Sequence, residues 1–114
     1  MTVDRRGFVI RLAPGALEEY RRLHAAVPRE VLATIEACGI RRYSIFHRRL
    51  EDGRDYLFAS FEYVGDDFAA DQKRMAADAA TQAWWRRTEP LQEPLEPRPP
   101  GSWWAPMEEV FRAG

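Results

Sequence analysis

Cys38 is the only cysteine in 114 residues, so no intrachain disulfide can form and nothing points to an oxidising compartment. Histidine is nearly as scarce, with only His24 and His47. No Cys-x-x-Cys, His-x-x-x-His or His-Glu-x-x-His spacing occurs, which argues against a protein-ligated zinc or iron site. The chain also lacks a glycine-rich phosphate loop and a Gly-x-Ser-x-Gly elbow, and Ser44, Ser60 and Ser102 have no base beside them. No run approaches the ~20 apolar residues of a membrane helix. The polar stretch Met1 to Arg6 does not read as a signal peptide, so a cytoplasmic chain is expected. Formal net charge is −1, with acids and bases interleaved. The pairs Arg21-Arg22, Arg41-Arg42, Arg48-Arg49 and Arg86-Arg87 therefore read as solvated faces, not as a nucleic-acid footprint. Acid–base chemistry without a cofactor, or simple binding, is what these absences leave.

The length suits one domain spanning residues 1–114, able to bury about 65–70% of its unfolded surface without disulfide or metal. Gly7 to Leu12 is rich in strand formers and stops at Ala13-Pro14-Gly15. From Ala16 the period changes: Leu17, Tyr20, Leu23 or His24, and Val27 share a helical stripe. Pro28 either bends that helix or opens a second one, whose stripe is Val31, Leu32 and Ile35; Gly39, after Cys38, suits a C′ position. Tyr43 to Phe46 reads as a second strand. Glu51-Asp52-Gly53-Arg54 makes a hairpin loop with Asp-Gly supplying positive φ angles. Tyr56 to Tyr63 is a third strand with Leu57, Ala59 and Phe61 on one face. Asp66-Asp67 opens a helix bearing Phe68 and Met75, and Asp78 can cap another holding Thr81, Trp84 and Trp85. Pro90 to Pro100 should be extended and loop-like, and Met107 to Phe111 closes the chain as a last strand. The order β-α-β-β-α-β predicts an α+β, ferredoxin-like domain with both helical blocks on one face of an antiparallel sheet. The other face still carries aromatics. It calls for a second subunit or for the Trp-rich C-terminal segment to cover it, and a homodimer with facing sheets is favoured.

Tyr20 and His24, four residues apart, lie one above the other on the apolar helix face. Both polar groups there need a partner or a ligand, and a core-edge tyrosine and histidine would satisfy the same spacing. The four tryptophans form two dipeptides. On a helix Trp84 and Trp85 point about 100° apart, so one can be buried while the other lines a cavity. An indole offers a flat apolar face and an N–H donor, which suits a sugar; two core tryptophans are the alternative. Trp103 and Trp104 read as capping the sheet, His47 as solvated beside Arg48-Arg49, and Cys38 as a small core residue.

These residues sit in a longer pattern: Phe8-Val9; Glu19-Tyr20 then His24; Arg42-Tyr43-Ser44-Ile45-Phe46; Leu57-Phe58-Ala59; Thr81-Gln82-Ala83-Trp84-Trp85; and Trp104 through Met107-Glu108-Glu109-Val110-Phe111. From about Phe8 to Phe111 the chain resembles the L-rhamnose mutarotase family. The resemblance implies a dimeric ferredoxin-like α+β barrel and a cofactor-free isomerase interconverting the α and β anomers of a 6-deoxy-L-sugar. It also implies His24 as proton donor, with Tyr20, Tyr43, Trp84 and Trp85 contacting the sugar. Tyr20 could share the proton work, and histidine suits the task because its ordinary pKa of ~6.5 lets it give and take protons near neutrality. Where family members carry Asn or Asp followed by Trp-Pro-Glu, this chain has Ala25-Ala26-Val27-Pro28-Arg29-Glu30, which leaves L-fucose open beside L-rhamnose. The scaffold also hosts cofactor-free oxygenases and small-molecule binders, so fold alone does not choose the chemistry.

Overall fold

The computed structural model describes residues 3–114; Met1 and Thr2, the start of the polar stretch Met1 to Arg6, lie outside the described residues. The long elements are β1 (Asp4–Leu12), α1 (Leu17–His24), α2 (Arg29–Ala37), β2 (Ile40–Arg49), β3 (Asp55–Tyr63), α3 (Phe68–Ala77) and α4 (Ala79–Thr88). A single 3₁₀ turn at Glu89–Leu91 then leads to two short strands, β4 (Gln92–Glu93) and β5 (Ala105–Met107). β3 lies antiparallel between β2 and β1, and both short strands pair with the far edge of β1. β4 takes Arg11 and Leu12, while β5 takes Gly7 to Val9. The fourth strand of the ferredoxin-like order is thus split in two, with the loop between them free to reach elsewhere. No helix among the described residues is long and apolar enough to cross a membrane.

Alternation on the strands sets the two sheet faces. Leu57, Ala59, Phe61 and Tyr63 are buried on β3, as are Ile10 and Leu12 on β1. Ile10, Leu12 and Leu57 pack with Ala16 and Tyr20, at and within the start of α1, whereas Ile40, Phe61 and Tyr63 pack with Cys38 and Met75. Both helical blocks therefore cover the same face. Each fully buried aliphatic there contributes about 1.5–3 kcal/mol. The opposite face keeps a cross-strand row, Val9, Phe58 and Phe46, in which Phe46 is 65% exposed.

Pro28 opens a new helix instead of bending the first: its extended ψ of 141° ends one segment and α2 begins at the next residue. Val31 is buried on α2, but Leu32, expected in the same stripe, is 53% exposed; the stripe is narrower than three apolar residues suggest. Gly39 adopts φ +82°, closing α2 as a left-handed C′ residue whose carbonyl accepts from Val64 N at 2.8 Å. A Cβ there would meet Gly65 N and the Tyr63 ring at 3.1 Å. Gly39→Ala should therefore cost at least about 1–2 kcal/mol, read as a lower midpoint in urea at unchanged slope.

Three expectations need correcting. In the hairpin only Gly53 has positive φ; Asp52 instead accepts the Arg54 N–H with its carboxylate at 2.9 Å. The final strand is Ala105–Met107, not Met107 to Phe111. Beyond Met107, side chains tether the tail, through Arg112 to Glu109 and to the Val3 carbonyl, and Val110 and Phe111 stay exposed. Finally, the Trp-rich segment does not cover the open sheet face. Trp104 packs instead on the inner face, against the cluster of Ile10, Leu12 and Tyr20.

Candidate active site

Between the inner sheet face and the helices lies a cavity of about 1230 Å³. Phe8, Tyr43, Ile45, Ala59 and Phe61 line it from the sheet; Tyr20, His24, Met75, Trp84 and Trp85 line it from the helices. All five residues singled out from the sequence thus meet in one place. Ala25 to Glu30, the stretch that departs from the family pattern, does not line it. The segment from Glu96 to Trp104 supplies a third wall, including Trp103 and Trp104, which were read as sheet caps. The proline-rich run gave no periodic signal that could have placed them there.

One helical turn arranges the imidazole. Tyr20 and His24 stack with ring centroids 4.2 Å apart and 25° between planes, as side chains at i and i+4 can. His24 Nδ1 lies 2.9 Å from the Tyr20 carbonyl oxygen. A carbonyl only accepts, so Nδ1 carries the hydrogen and the neutral ring keeps its lone pair on Nε2. Among the described residues Nε2 has no hydrogen-bond partner, yet no buried side-chain polar atom is left unpaired, so Nε2 is accessible. Burial lowers the His24 pKa below its ordinary 6.5, against a smaller opposing effect of the bond to the Tyr20 carbonyl. The ring is neutral at pH 7.

Trp84 also packs on that ring, in a T-shaped contact with 5.1 Å between centroids. It is also a core residue, packed with Leu23 and Val31. Trp85 is half-buried beside the same cluster, so Trp84 is the core member of the pair and Trp85 the more open one, although both indoles reach the cavity lining. The helix that carries them is fixed at its start by Asp78, whose carboxylate accepts from Thr81 N, Thr81 Oγ1 and Thr34 Oγ1 at 2.9–3.0 Å. Those bonds hold the Asp78 carboxyl below the usual range.

Tyr43 reaches the cavity through a β-bulge. Pairing of β2 with β3 is regular up to Arg41 and from Ser44 onward, so Arg42 and Tyr43 together oppose Phe61. Arg42 takes up the extra residue at φ 51°, an uncommon conformation for a side chain other than glycine's. The slip lets both Ile40 and Tyr43 face inward although they are three positions apart, an odd spacing that a regular strand would send to opposite faces. Tyr43 meets Phe61 edge-on at 5.6 Å. Surrounding protein pushes its phenol up to about 12, although the cavity leaves 41% of the residue accessible.

Tyr20 is only 5% exposed. Desolvation first, and the nearby Tyr43 phenol second, raise its pKa well above the ordinary 10.0, so it remains a protonated donor. Its oxygen accepts from Gln92 Nε2 at 3.1 Å. Gln92 is 8% exposed and was not singled out in the sequence. His47, the other histidine, is on the rim of the sheet with Nε2 2.8 Å from Asp55 Oδ1, away from the cavity lining. Among the described residues no group of three or more His, Cys, Asp or Glu is placed to hold a metal ion.

Comparison with known proteins agrees with this geometry. The family model described as L-rhamnose mutarotase matches residues 5–113. The L-rhamnose mutarotase of Klebsiella pneumoniae subsp. pneumoniae is 31% identical over 107 residues, covering 94% of this chain and 95% of that protein. That of Listeria monocytogenes serotype 4b is 33% identical over 89 residues, 78% of this chain and 80% of its own. A crystal structure of L-rhamnose mutarotase from Formosa agariphila superposes with a TM-score of 0.73 at 23% identity, over 97% of this chain and 99% of that one, which supports the ferredoxin-like fold. An isomerase acting on carbohydrates, and neither an oxygenase nor a plain binder, is the class these matches give: the chain belongs to the L-rhamnose mutarotase family.

Proposed function

We propose that this chain interconverts the α and β anomers of L-rhamnose, with His24 moving the proton and Tyr20, Tyr43, Trp84 and Trp85 holding the sugar. The observation that carries the reading is the bare, accessible Nε2 of a neutral His24 in a cavity walled by indoles and phenols. Opening the pyranose requires the anomeric hydroxyl to lose a proton and the ring oxygen to gain one as the bond between C1 and that oxygen breaks. His24 Nε2 takes the first proton. The imidazolium so formed gives it to the ring oxygen, both oxygens being bonded to the same carbon. The aldehyde then rotates, and closure on its other face runs the same transfers backwards. Tyr20, protonated throughout, donates a hydrogen bond to the ring oxygen while negative charge builds there. The indole faces meet the C–H surface of the sugar. Sugars mutarotate unaided in water, so the ~10²–10⁴-fold that a positioned acid–base group supplies is a sufficient gain.

The names of the matched family and relatives favour L-rhamnose over L-fucose. Saturation-transfer NMR on both sugars, with and without protein, tests this directly. Faster anomer exchange of L-rhamnose, and a smaller effect on L-fucose, is the expected outcome; an L-rhamnose rate equal to that in buffer would refute it.

The working form we infer is a homodimer with the open sheet faces together. Support comes from the apolar row Val9, Phe58 and Phe46 and from Met107, Val110 and Phe111, exposed in the chain's last segment. Solvent-facing apolar groups on this scale are unusual for a monomer. Phe46→Glu places a charge in that row and should convert the dimer to monomer in sedimentation equilibrium. A wild-type chain that sediments as a monomer at micromolar concentration would exclude the arrangement.

A further inference from the structure

Gln92 sits where its backbone cannot drift. Its strand pairs with Leu12, and the preceding carbonyl, of Leu91, accepts from Ala13 N at 2.9 Å. Arg11 and Arg54 both clamp the carboxylate of the following Glu93. The side-chain amide is bonded at both ends. Trp103 Nε1 donates to Gln92 Oε1 at 2.8 Å, and Gln92 Nε2 donates to the Tyr20 hydroxyl oxygen at 3.1 Å.

Donor and acceptor chemistry fixes the direction of this relay. An indole N–H can only donate, so the amide atom facing Trp103 must be oxygen and the other must be nitrogen. The amide nitrogen can only donate, so the Tyr20 oxygen accepts there. The Tyr20 hydroxyl hydrogen must then point away from Gln92, and among the described residues no acceptor receives it. The cavity is what Tyr20 otherwise faces.

We propose that Gln92, oriented by Trp103, is a positioning residue that makes the Tyr20 hydroxyl present its hydrogen to the sugar instead of turning it into the protein. This rests on the functional reading above, and it assigns the loop from Glu96 to Trp104 a part in the reaction beyond walling the cavity. Trp103 never needs to touch the reacting atoms: its N–H sets the polarity of the amide, and the amide sets that of the phenol. Buried on a rigid strand, the amide holds that orientation before the sugar arrives.

Gln92→Glu tests it with the shape nearly unchanged. A carboxylate only accepts, so it would draw the Tyr20 hydrogen toward itself and take it from the sugar. Losing one donor aimed at developing charge costs on the order of 100-fold in turnover; the expected result is a drop of about that size in kcat at neutral pH, with KM changed less. A protonated carboxyl can again accept from Trp103 and donate to Tyr20, so the ratio of variant to wild-type rate should climb as pH falls. Removal of a merely structural contact would give no such climb. Trp103→Phe, which keeps a ring but loses the donor, should lower kcat by about 3- to 10-fold as the amide becomes free to turn over. Thermal melts establish that each variant is folded, and Trp103→Phe decides the matter should Gln92→Glu fail to fold. A folded Gln92→Glu with wild-type kcat, or with a reduced kcat whose ratio to wild type is flat with pH, overturns the proposal, as does a Trp103→Phe at the wild-type rate. Wild-type protein that leaves L-rhamnose exchange unaccelerated would instead overturn the functional reading and this inference with it.

Discussion

Replacing His24 by alanine lowers the rate of L-rhamnose anomer exchange by at least about 100-fold while the protein stays folded. The size follows from what the imidazole does: it is both the acceptor of the anomeric proton and the donor to the ring oxygen, and water is the only substitute. The fold survives because His24 ends α1 half-buried, and its one hydrogen bond goes to a carbonyl of its own helix. Tyr20, Tyr43 and the tryptophans still line the cavity, so KM should move less than kcat. Saturation-transfer NMR read beside a thermal melt gives both quantities. A folded variant exchanging at the wild-type rate would remove His24 from the mechanism.

The same group sets the acid limb of the pH profile. Only neutral His24 can accept the anomeric proton, and its pKa in the folded chain lies below 6.5. Activity should therefore be level above pH 6.5 and fall only as the pH drops through the lowered value. The sign for stability agrees. Below 6.5 an unfolded chain takes up the proton first, so acid favours unfolding through this group until the folded form protonates too. No such contribution exists at higher pH, where both forms are neutral. His24→Ala should accordingly show a shallower loss of stability in acid than the wild type.

How much of this was legible in the chain depends on the range over which each feature is encoded. Tyr20 with His24, Cys38 before Gly39, the acidic pair Asp66-Asp67 at a helix start and the cap Asp78 are local patterns, each settled within four residues, and each occupies its expected place. The bulge was hidden because its left-handed residue is Arg42, not the glycine that would announce it; strand formers on both sides simply look continuous. Gln92 and Trp103 were hidden for another reason. Their contact joins two turns of a proline-rich segment to a helix 72 residues away, and no periodicity links such positions. The misplaced last strand has a related origin. Met107 to Phe111 has apolar ends but no strict alternation to fix a strand, and the edge of β1 that remains after β4 pairs is taken by Ala105 to Met107.

Trp84→Ala should destabilise the fold by about 3–5 kcal/mol, far more than Trp85→Ala does. Trp84 is 8% exposed and anchors the cluster with Leu23 and Val31, which joins α1, α2 and α4. Truncating a buried tryptophan costs about 3–5 kcal/mol, from lost transfer energy and from the void it leaves. Against a typical total of 5–15 kcal/mol for a domain, that is a large share. Arg87, stacked over the indole at 5.5 Å, would lose its platform as well. Catalysis should suffer beyond the change in stability, because Trp84 is one of the two rings packed against the His24 imidazole. Trp85 is half-buried, and its removal should weaken sugar binding, seen as a raised KM, with a smaller change in melting temperature. Urea titration and exchange kinetics on the two variants separate these effects. Equal destabilisation by both substitutions would show that the paired indoles share the core load, and the distinction between an anchor that braces the histidine and a wall that meets the sugar would fall.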